Sequence, residues 1–243
     1  MSDTQAVTKP YQIGMLVFPG MTSLDFDAPV DALSRMPHTQ VHVLAKTLEP
    51  VKNDIGLMVT PTMQMRDAPR LDLLFVGGGR GVNRLLEDEE TIDFLRSRAP
   101  EAQWITAVCA GSLLLGAAGL LQGYKAATHW AAMEVLPLLG AIPTYERVVI
   151  DRNRITGGGV TAGLDFGLTV AAQLHGEQHA METQLMVEYD PHPPFDAGSP
   201  FRAPAQVLEK VRTALAASTQ ERLEIARRIA TRHGWAVPGG TNT

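Results

Sequence analysis

The chain has 243 residues, of which 45% are hydrophobic, and a formal net charge of −5. This length and hydrophobic share are enough for a buried core, so we expect one globular α/β unit. The acidic balance and the lack of a Lys/Arg cluster argue against nucleic acid as a partner, and no apolar run reaches the roughly 20 residues that a membrane span needs.

Apolar strands and helices are predicted to alternate along the chain. Residues 1–10 lack the order of a signal peptide and are predicted to be a disordered leader. Short apolar runs that end in turns or glycine predict strands at residues 11–17, 40–45, 71–76, 104–108, 145–150 and just before the glycines at 157–159. Helices are predicted between them, at residues 28–36, 83–99, 111–121, 130–138 and after residue 159.

Some of these helices carry further local signals. Pro29 is expected near the first turn of its helix. The charge order of residues 83–99 is typical of a solvated helix, and Gly123 is expected to end the helix that begins at residue 111.

The C-terminal part of the chain differs from the alternating region. Residues 191–204 are rich in proline and form a predicted connector. Residues 203–232 have apolar side chains at helical spacing, so this helix is expected to pack on the domain or on a partner chain. We therefore predict a domain at 11–200, a helical extension at 201–232 and a disordered tail at 233–243.

The alternation predicts a mostly parallel sheet with helices on both faces, and such sheets bind ligands at the carboxyl ends of their strands. Asp25 follows the first predicted strand, the glycines at 77–79 follow another, and Cys109 follows a third. These three features are therefore expected to lie at one edge of the sheet.

Cys109 is the only cysteine, so no disulfide can form within the chain and a reducing cytoplasm is the expected compartment. The residue lies between a strand and a helix, where helical N–H groups lower a thiol pKa and favour the reactive thiolate. The alternative is an inert core cysteine, since free cysteine is among the most buried residue types. The local sequence leaves the two interpretations about equal.

Asp25 and the glycines also have two interpretations each. Asp25 suits the cap of the helix that follows it as well as a chemical role, and Asp27 competes for both. The glycine run can form backbone donors for an anion or merely end a strand, and Arg80 beside it is expected to face water.

No metal site is predicted. His129, His179 and His192 have no companions at metal-ligand spacing. His175 and Glu177 match the His-x-Glu order of amidotransferase triads, but they follow a predicted helix, where the helix dipole accounts for the histidine.

Longer motifs are similar to a known family. The run "VCAGSLLLGAAGLLQG" followed by "ATHW" strongly resembles the nucleophile elbow of the ThiJ/PfpI superfamily, whose fold is related to class I glutamine amidotransferases. Within it, the likeness is closest to isonitrile hydratases, also called cyclohexyl-isocyanide hydratases. It covers residues 11–230, and its most unusual motifs are "GGGVTAGLDFGLTVAAQL" and "EYDPHPPFDAGSP".

The resemblance implies a flavodoxin-like, three-layer α/β sandwich and a homodimer that acts on a small molecule without a cofactor. It implies that Cys109 is the nucleophile and Asp25 its acid partner. Physically, a carboxyl group beside a thiolate is held in its protonated form by like charge. Gly78 or Gly79, with the N–H of Ala110, would form the anion hole, and His129 would be structural.

The implied reaction is the hydration of an organic isonitrile to an N-substituted formamide. Ala110 departs from the hydratase pattern, which has threonine there, so weaker activity or a shifted substrate is expected. Protease-like members have histidine at this position, and peptidase activity is therefore disfavoured. The alternatives are a glyoxalase or deglycase acting on small aldehydes, and a non-enzymatic sensor. Such a sensor would bind a ligand, or it would respond to stress by oxidation of its thiolate to sulfinic acid.

Overall fold

A seven-stranded sheet organises residues 9–235, which are the residues that the computed structural model describes. Its strands, in spatial order, are β10 (Val148–Asp151), β11 (Arg154–Gly157), β7 (Trp104–Val108), β6 (Leu73–Val76), β1 (Tyr11–Leu16), β2 (Thr39–Ala45) and β5 (Met63–Gln64). All neighbours are parallel except the hairpin of β10 and β11. Two small sheets pair β3 (Val51–Lys52) with β4 (Met58–Val59) and β8 (Lys125–Ala126) with β9 (Ile142–Pro143).

Helices cover both faces of the sheet. They are α1 (Ser23–Leu33), α2 (Val82–Leu85), α3 (Glu89–Arg98), α4 (Gly111–Ala117), α5 (Ala162–His175), α6 (Glu177–Met186) and α7 (Ala205–His233), with 3-10 helices at Met65–Asp67, Ala99–Glu101 and Trp130–Leu139. Helices α1 and α5 pack together on one face, and α4 packs on β6 and β7 from the other. The predicted three-layer, flavodoxin-like α/β fold is confirmed.

The central strands are buried because both sheet faces are covered. Every side chain of β6 is fully buried, and β1 is buried from its second residue onward. Such strands are continuous apolar runs rather than alternating ones. The buried Thr106 of β7 donates its hydroxyl to the Leu74 carbonyl oxygen at 2.9 Å, so its polar group is paired.

Two glycines let α1 and α5 approach closely. A Cβ atom at Gly167 would lie 2.7 Å from the Cβ of Ala32, and one at Gly163 would lie 3.0 Å from Cδ of Pro29. Bulkier residues would push the helices apart because interiors are close-packed. The contact fixes α1, whose first turn carries Asp25, over the carboxyl ends of the strands.

Several predicted boundaries are wrong at the level of single turns. Helix α1 starts at Ser23, so Asp25 lies inside its first turn and Pro29 in its middle. The predicted helix at 83–99 is two helices, because Asp88 caps α3 by accepting the Thr91 N–H at 2.9 Å. Helix α3 also buries one face, so it is not simply solvated.

Later boundaries differ as well. Helix α4 ends at Ala117, and the turn beyond it uses Gly119, at a φ of +77°, before the chain reaches Gly123. The predicted helix at 130–138 is a 3-10 helix, and α6 was not predicted at all. The apolar signal located these segments, but the local hydrogen-bond pattern depends on how each one packs.

The C-terminal helix predicted at 203–232 is present as α7, and its last residue differs from the prediction by one position. Its second half packs on α2 and on the 3-10 helix Trp130–Leu139, and it buries Arg222, Ile225, Ala226, Ile229 and Ala230. The predicted tail starts too early, because His233 belongs to α7 and the Trp235 N–H donates to the Ala230 carbonyl oxygen at 2.9 Å. The rest of the tail and residues 1–8 of the predicted leader lie outside the described residues.

Among residues 9–235, no helix has both the length and the apolar character that crossing a membrane requires.

Candidate active site

Cys109 occupies a strained turn between β7 and α4. Its φ is +54°, which a residue with a side chain rarely adopts. Three hydrogen bonds hold this backbone: the Cys109 N–H donates to the carbonyl oxygens of Gly158 at 2.8 Å and Gly157 at 3.1 Å, and the Thr128 hydroxyl donates to the Cys109 carbonyl oxygen at 2.7 Å. Strain that the surroundings maintain in this way is typical of functional positions.

Asp25 reaches Cys109 from the first turn of α1. The residue is fully buried, and the N–H of Gly78 donates to its Oδ2 at 3.0 Å. Its Oδ1 is buried and accepts no N–H or O–H bond from the described residues, and the thiol of Cys109 is the polar group that faces the carboxyl. Asp27 is exposed and accepts the Ser23 hydroxyl at 2.6 Å, so it lies outside the site.

Gly78 lies between the carboxyl and the thiol. A Cβ atom there would be 2.6 Å from the Ala110 nitrogen and 2.8 Å from both Asp25 Oδ2 and Cys109 Cβ. No side chain fits in this space, so glycine is what allows the two groups to meet. The Gly78 N–H points at the carboxyl and supports Asp25, whereas the sequence analysis expected either Gly78 or Gly79 to be a donor of the anion hole at sulfur.

Gly79 shapes the turn that anchors α1. Its φ is +132°, and a Cβ atom there would be 2.5 Å from the Gly20 carbonyl oxygen and from the Thr22 nitrogen. The Thr22 N–H donates to the Gly78 carbonyl oxygen at 3.0 Å, which ties the start of α1 to the glycine run. This contact sets the height of Asp25 above the sheet.

Two backbone donors face the sulfur. The N–H groups of Ala110 and Val160 both lower the pKa of the Cys109 thiol by stabilising its charged form. Val160 was missed by the sequence analysis, and its φ of +30° is unusual for a β-branched residue. The available signal was the glycine run at 157–159, which begins with the last residue of β11, the neighbour of β7 in the sheet.

The thiol and the carboxyl titrate as a coupled pair. Burial raises the pKa of Asp25 to about 7, although its hydrogen bonds to Cys109 and Gly78 oppose that rise. Burial also raises the pKa of the Cys109 thiol, and the charge of Asp25 raises it further. The expectation of a lowered thiol pKa is therefore wrong, because burial is the largest influence on it, and near neutral pH the pair carries at most one negative charge.

A pocket of about 520 Å³ opens over Cys109 and Ala110. Other parts of the chain complete its wall: Thr22, Asp54, Gly79, Arg80, Asn83, His129, Ala131, Val160, Ala214, Leu215, Ala217, Ser218, Thr219, Glu221 and Arg222. Seven of these residues belong to α7, which the sequence analysis did not place near the site. The helical spacing of apolar residues predicted that α7 packs on another surface, but this spacing does not indicate which surface.

His129 has two roles that the sequence could not separate. Its Nδ1 accepts the Ala131 N–H at 3.3 Å and so caps the 3-10 helix, while the side chain also lines the pocket. Burial lowers the pKa of His129, which favours a neutral ring. Within residues 9–235, no three His, Cys, Asp or Glu side chains are grouped as a metal site would require.

Known proteins match this chain over most of its length. The model of the DJ-1/PfpI family matches residues 11–173. The chain belongs to the DJ-1/PfpI family. Isonitrile hydratase of Pseudomonas putida, a similar protein, is 52% identical over 219 residues, which are 90% of this chain and 96% of that protein.

Two further proteins that are similar to this chain bear on the fold and on the range of functions among its relatives. The crystal structure of a ThiJ/PfpI family protein from Pseudomonas syringae superimposes with a TM-score of 0.88 at 47% identity, covering 89% of this chain and 90% of that one. The HTH-type transcriptional regulator GbdR of Pseudomonas aeruginosa is 32% identical over 74% of this chain, which spans only 51% of the regulator.

Proposed function

We propose that this protein hydrates organic isonitriles to N-substituted formamides, with Cys109 as the nucleophile. The observation that carries the proposal is the buried contact between the Asp25 carboxyl and the Cys109 thiol beneath an open pocket. The 52% identity to an isonitrile hydratase over 90% of the chain supports this reaction over others known in the family. The cytoplasm is the compartment that suits a single free thiol.

The first half of the reaction forms a carbon–sulfur bond. The Cys109 thiolate adds to the terminal carbon of the isonitrile, and the protonated Asp25 carboxyl transfers its proton to that carbon. The product is a covalent thioimidate in which the former isonitrile carbon bears one hydrogen. Cys109 at the strand-to-helix turn serves as a nucleophile elbow, with the N–H groups of Ala110 and Val160 stabilising the thiolate before attack.

The second half breaks that bond. Asp25, now a carboxylate, accepts a proton from a water molecule as its oxygen adds to the thioimidate carbon. Asp25 then passes this proton to the substrate nitrogen. As the carbonyl forms and the carbon–sulfur bond breaks, Asp25 takes up the hydroxyl proton of the intermediate, which releases the formamide and the Cys109 thiolate and restores the protonated Asp25. One carboxyl thus acts as acid and then as base.

The titration of Asp25 suits both halves. A carboxyl with a pKa of about 7 is populated in its acid and base forms at neutral pH, which is where general acid–base catalysis is most effective. An exposed aspartate would be ionised almost completely at that pH and could not supply the first proton. Burial of Asp25 therefore has a direct chemical use.

The test is to incubate the purified protein with an aryl isonitrile and to follow formamide formation by chromatography. Cys109→Ala should abolish turnover, and Asp25→Asn should reduce kcat by about 100-fold or more because the proton donor is lost. Asp27→Asn is the matched control, since Asp27 is exposed and pairs with Ser23, and it should retain activity.

Ala110→Thr adds a hydroxyl at the pocket floor, as in the hydratase pattern, and should increase kcat. Absence of formamide from the unmodified protein, or full activity in Cys109→Ala, would contradict the proposal. Consumption of methylglyoxal without formamide formation would favour the glyoxalase alternative instead.

A further inference from the structure

Arg222 is a buried cation at the pocket wall. It lies in the second half of α7, is only 8% exposed, and lines the pocket together with Cys109. Its Nε donates to Asn83 Oδ1 at 2.8 Å, and its Nη2 donates to the Gly79 carbonyl oxygen at 3.3 Å. Both acceptors are neutral, so they orient the guanidinium group without compensating its charge.

No carboxylate among the described residues forms a salt bridge with Arg222. An arginine stays charged in a protein, and a buried charge is costly unless an opposite charge lies near it. Hydrogen bonds of Asn83 fix the position of Arg222. Asn83 accepts from Arg222 and also donates to Glu221 and Ser218 of the same helix. A counter-charge for Arg222 is therefore expected among the groups of the pocket that it lines.

Other charged groups at the pocket are engaged elsewhere or lie nearer to water. Asp54 accepts the Thr22 hydroxyl at 2.8 Å, and Glu221 accepts the Asn83 side-chain amide. Arg80 is exposed and His129 is held neutral by burial. Neither carboxylate forms an ion pair with Arg222, which leaves the Cys109–Asp25 pair as the other source of negative charge at the pocket. Burial lowers the pKa of Arg222, and the charges of Cys109 and, after it, Glu221 oppose this.

We propose that Arg222 is the counter-ion of the Cys109–Asp25 pair and acts as a positioning residue that stabilises the thiolate. This inference rests on the proposed role of Cys109 as the reacting group, but not on the identity of the substrate. Arg222 donates to the carbonyl oxygen of Gly79, and the N–H of the preceding residue, Gly78, donates to Asp25. Helix α7 therefore places a cation next to the glycine run that supports Asp25, in the pocket that Cys109 also lines.

The proposal assigns α7 a chemical role besides packing. Asn83 joins the helix to the glycine run, because it bonds Arg222 through Oδ1 and Glu221 and Ser218 through Nδ2. A displacement of α7 would move the counter-ion away from the thiol. Cys109 is therefore expected to react fastest when the C-terminal helix is docked.

The experiment measures the rate of Cys109 alkylation by iodoacetamide from pH 5 to 10 on the full-length protein. Arg222→Gln should raise the apparent pKa of the reaction by about one pH unit or more, as expected when a neighbouring cation is lost, and should slow alkylation at pH 7 roughly tenfold. Arg222→Lys keeps the charge and should restore most of the profile. Arg228 lies on the same helix as Arg222 and forms an exposed ion pair with Glu87. Arg228→Gln removes that ion pair and should leave the alkylation profile unchanged.

An Arg222→Gln profile that overlies that of the unmodified protein would overturn the proposal. So would a loss of reactivity that is equal at every pH and is not restored by lysine, because that pattern indicates a structural role. If Arg222→Gln does not fold, as judged by circular dichroism, Arg222→Met replaces it, since apolar residues often substitute for buried charges without loss of stability. Alkylation does not require isonitrile turnover, so the result is independent of the hydratase test.

Discussion

Gly78 and Asp25 show how single residues create the chemistry of this site. The absence of a side chain at Gly78 leaves room for a carboxyl on one side and a thiol on the other. The N–H of the same glycine then holds Asp25 in place. Because the carboxyl is buried, its pKa rises to about 7, and the residue becomes a group that can both give and take a proton near neutrality.

The same burial makes the stability of the protein depend on pH. The pKa of Asp25 rises from 3.8 to about 7 on folding, so the protonated group favours the folded state. This stabilisation is fully present below pH 3.8 and is lost as the pH rises through about 7. The total loss in the free energy of unfolding is about 4 kcal/mol. Asp25→Asn, which does not titrate, should not show this loss.

The measurement is urea unfolding of both proteins at pH 4, 5.5 and 8. Between the first and last pH, the free energy of unfolding of the unmodified protein should fall by up to about 4 kcal/mol more than that of Asp25→Asn. Parallel pH dependences of the two proteins would show that folding does not raise the pKa of Asp25.

At the scale of elements, the position of Asp25 depends on the packing of α1 against α5. Gly167 and Gly163 of α5 meet Ala32 and Pro29 of α1 at distances that leave no room for a side chain. Helix α1 is also tied to the glycine run through Thr22. The site thus depends on one helix–helix contact and one loop contact, neither of which includes a reacting group.

Gly167→Ala tests the helix contact. The added Cβ would lie 2.7 Å from Ala32 Cβ, so α1 must shift outward, and the strain should exceed the roughly 1 kcal/mol that alanine gains over glycine within a helix. We expect a net destabilisation of about 1–2 kcal/mol in urea unfolding, together with a reduced kcat because Asp25 moves with α1.

Gly198→Ala is the control for this change, because a Cβ atom there meets nothing within 4 Å. Its free energy of unfolding should change by less than about 0.5 kcal/mol. Equal stability of Gly167→Ala and the unmodified protein would mean that the two helices are less tightly apposed than the structure shows.

At the scale of the whole molecule, residues from both ends of the chain enclose one pocket. The floor comes from the carboxyl ends of β1, β6 and β7, and α7 supplies part of the wall. The surface also carries exposed apolar side chains, including Ile55 at 71%, Leu57 at 58% and Met58 at 57% exposure around the β3–β4 hairpin. Grouped exposed apolar residues are typical of a surface that is covered by another protein.

We propose that the protein is a homodimer. Sedimentation equilibrium at micromolar concentration should give a mass of about twice the 26.3 kDa of one chain. A mass of one chain across that concentration range would contradict the proposal. The measurement is best made on Cys109→Ala as well, so that intermolecular disulfides do not contribute to the result.

The amino-acid sequence by itself determined the α/β class, the approximate places of the central strands, and the meeting of Asp25, the glycine run and Cys109 at one sheet edge. These follow from local properties, namely apolar periodicity and the residues that end each strand. Only the tertiary structure decided that Gly78 supports Asp25, that the Val160 N–H faces the sulfur, that burial raises both pKa values, and that Arg222 reaches the pocket. These depend on distances between segments far apart in the chain, which packing sets and no local pattern encodes.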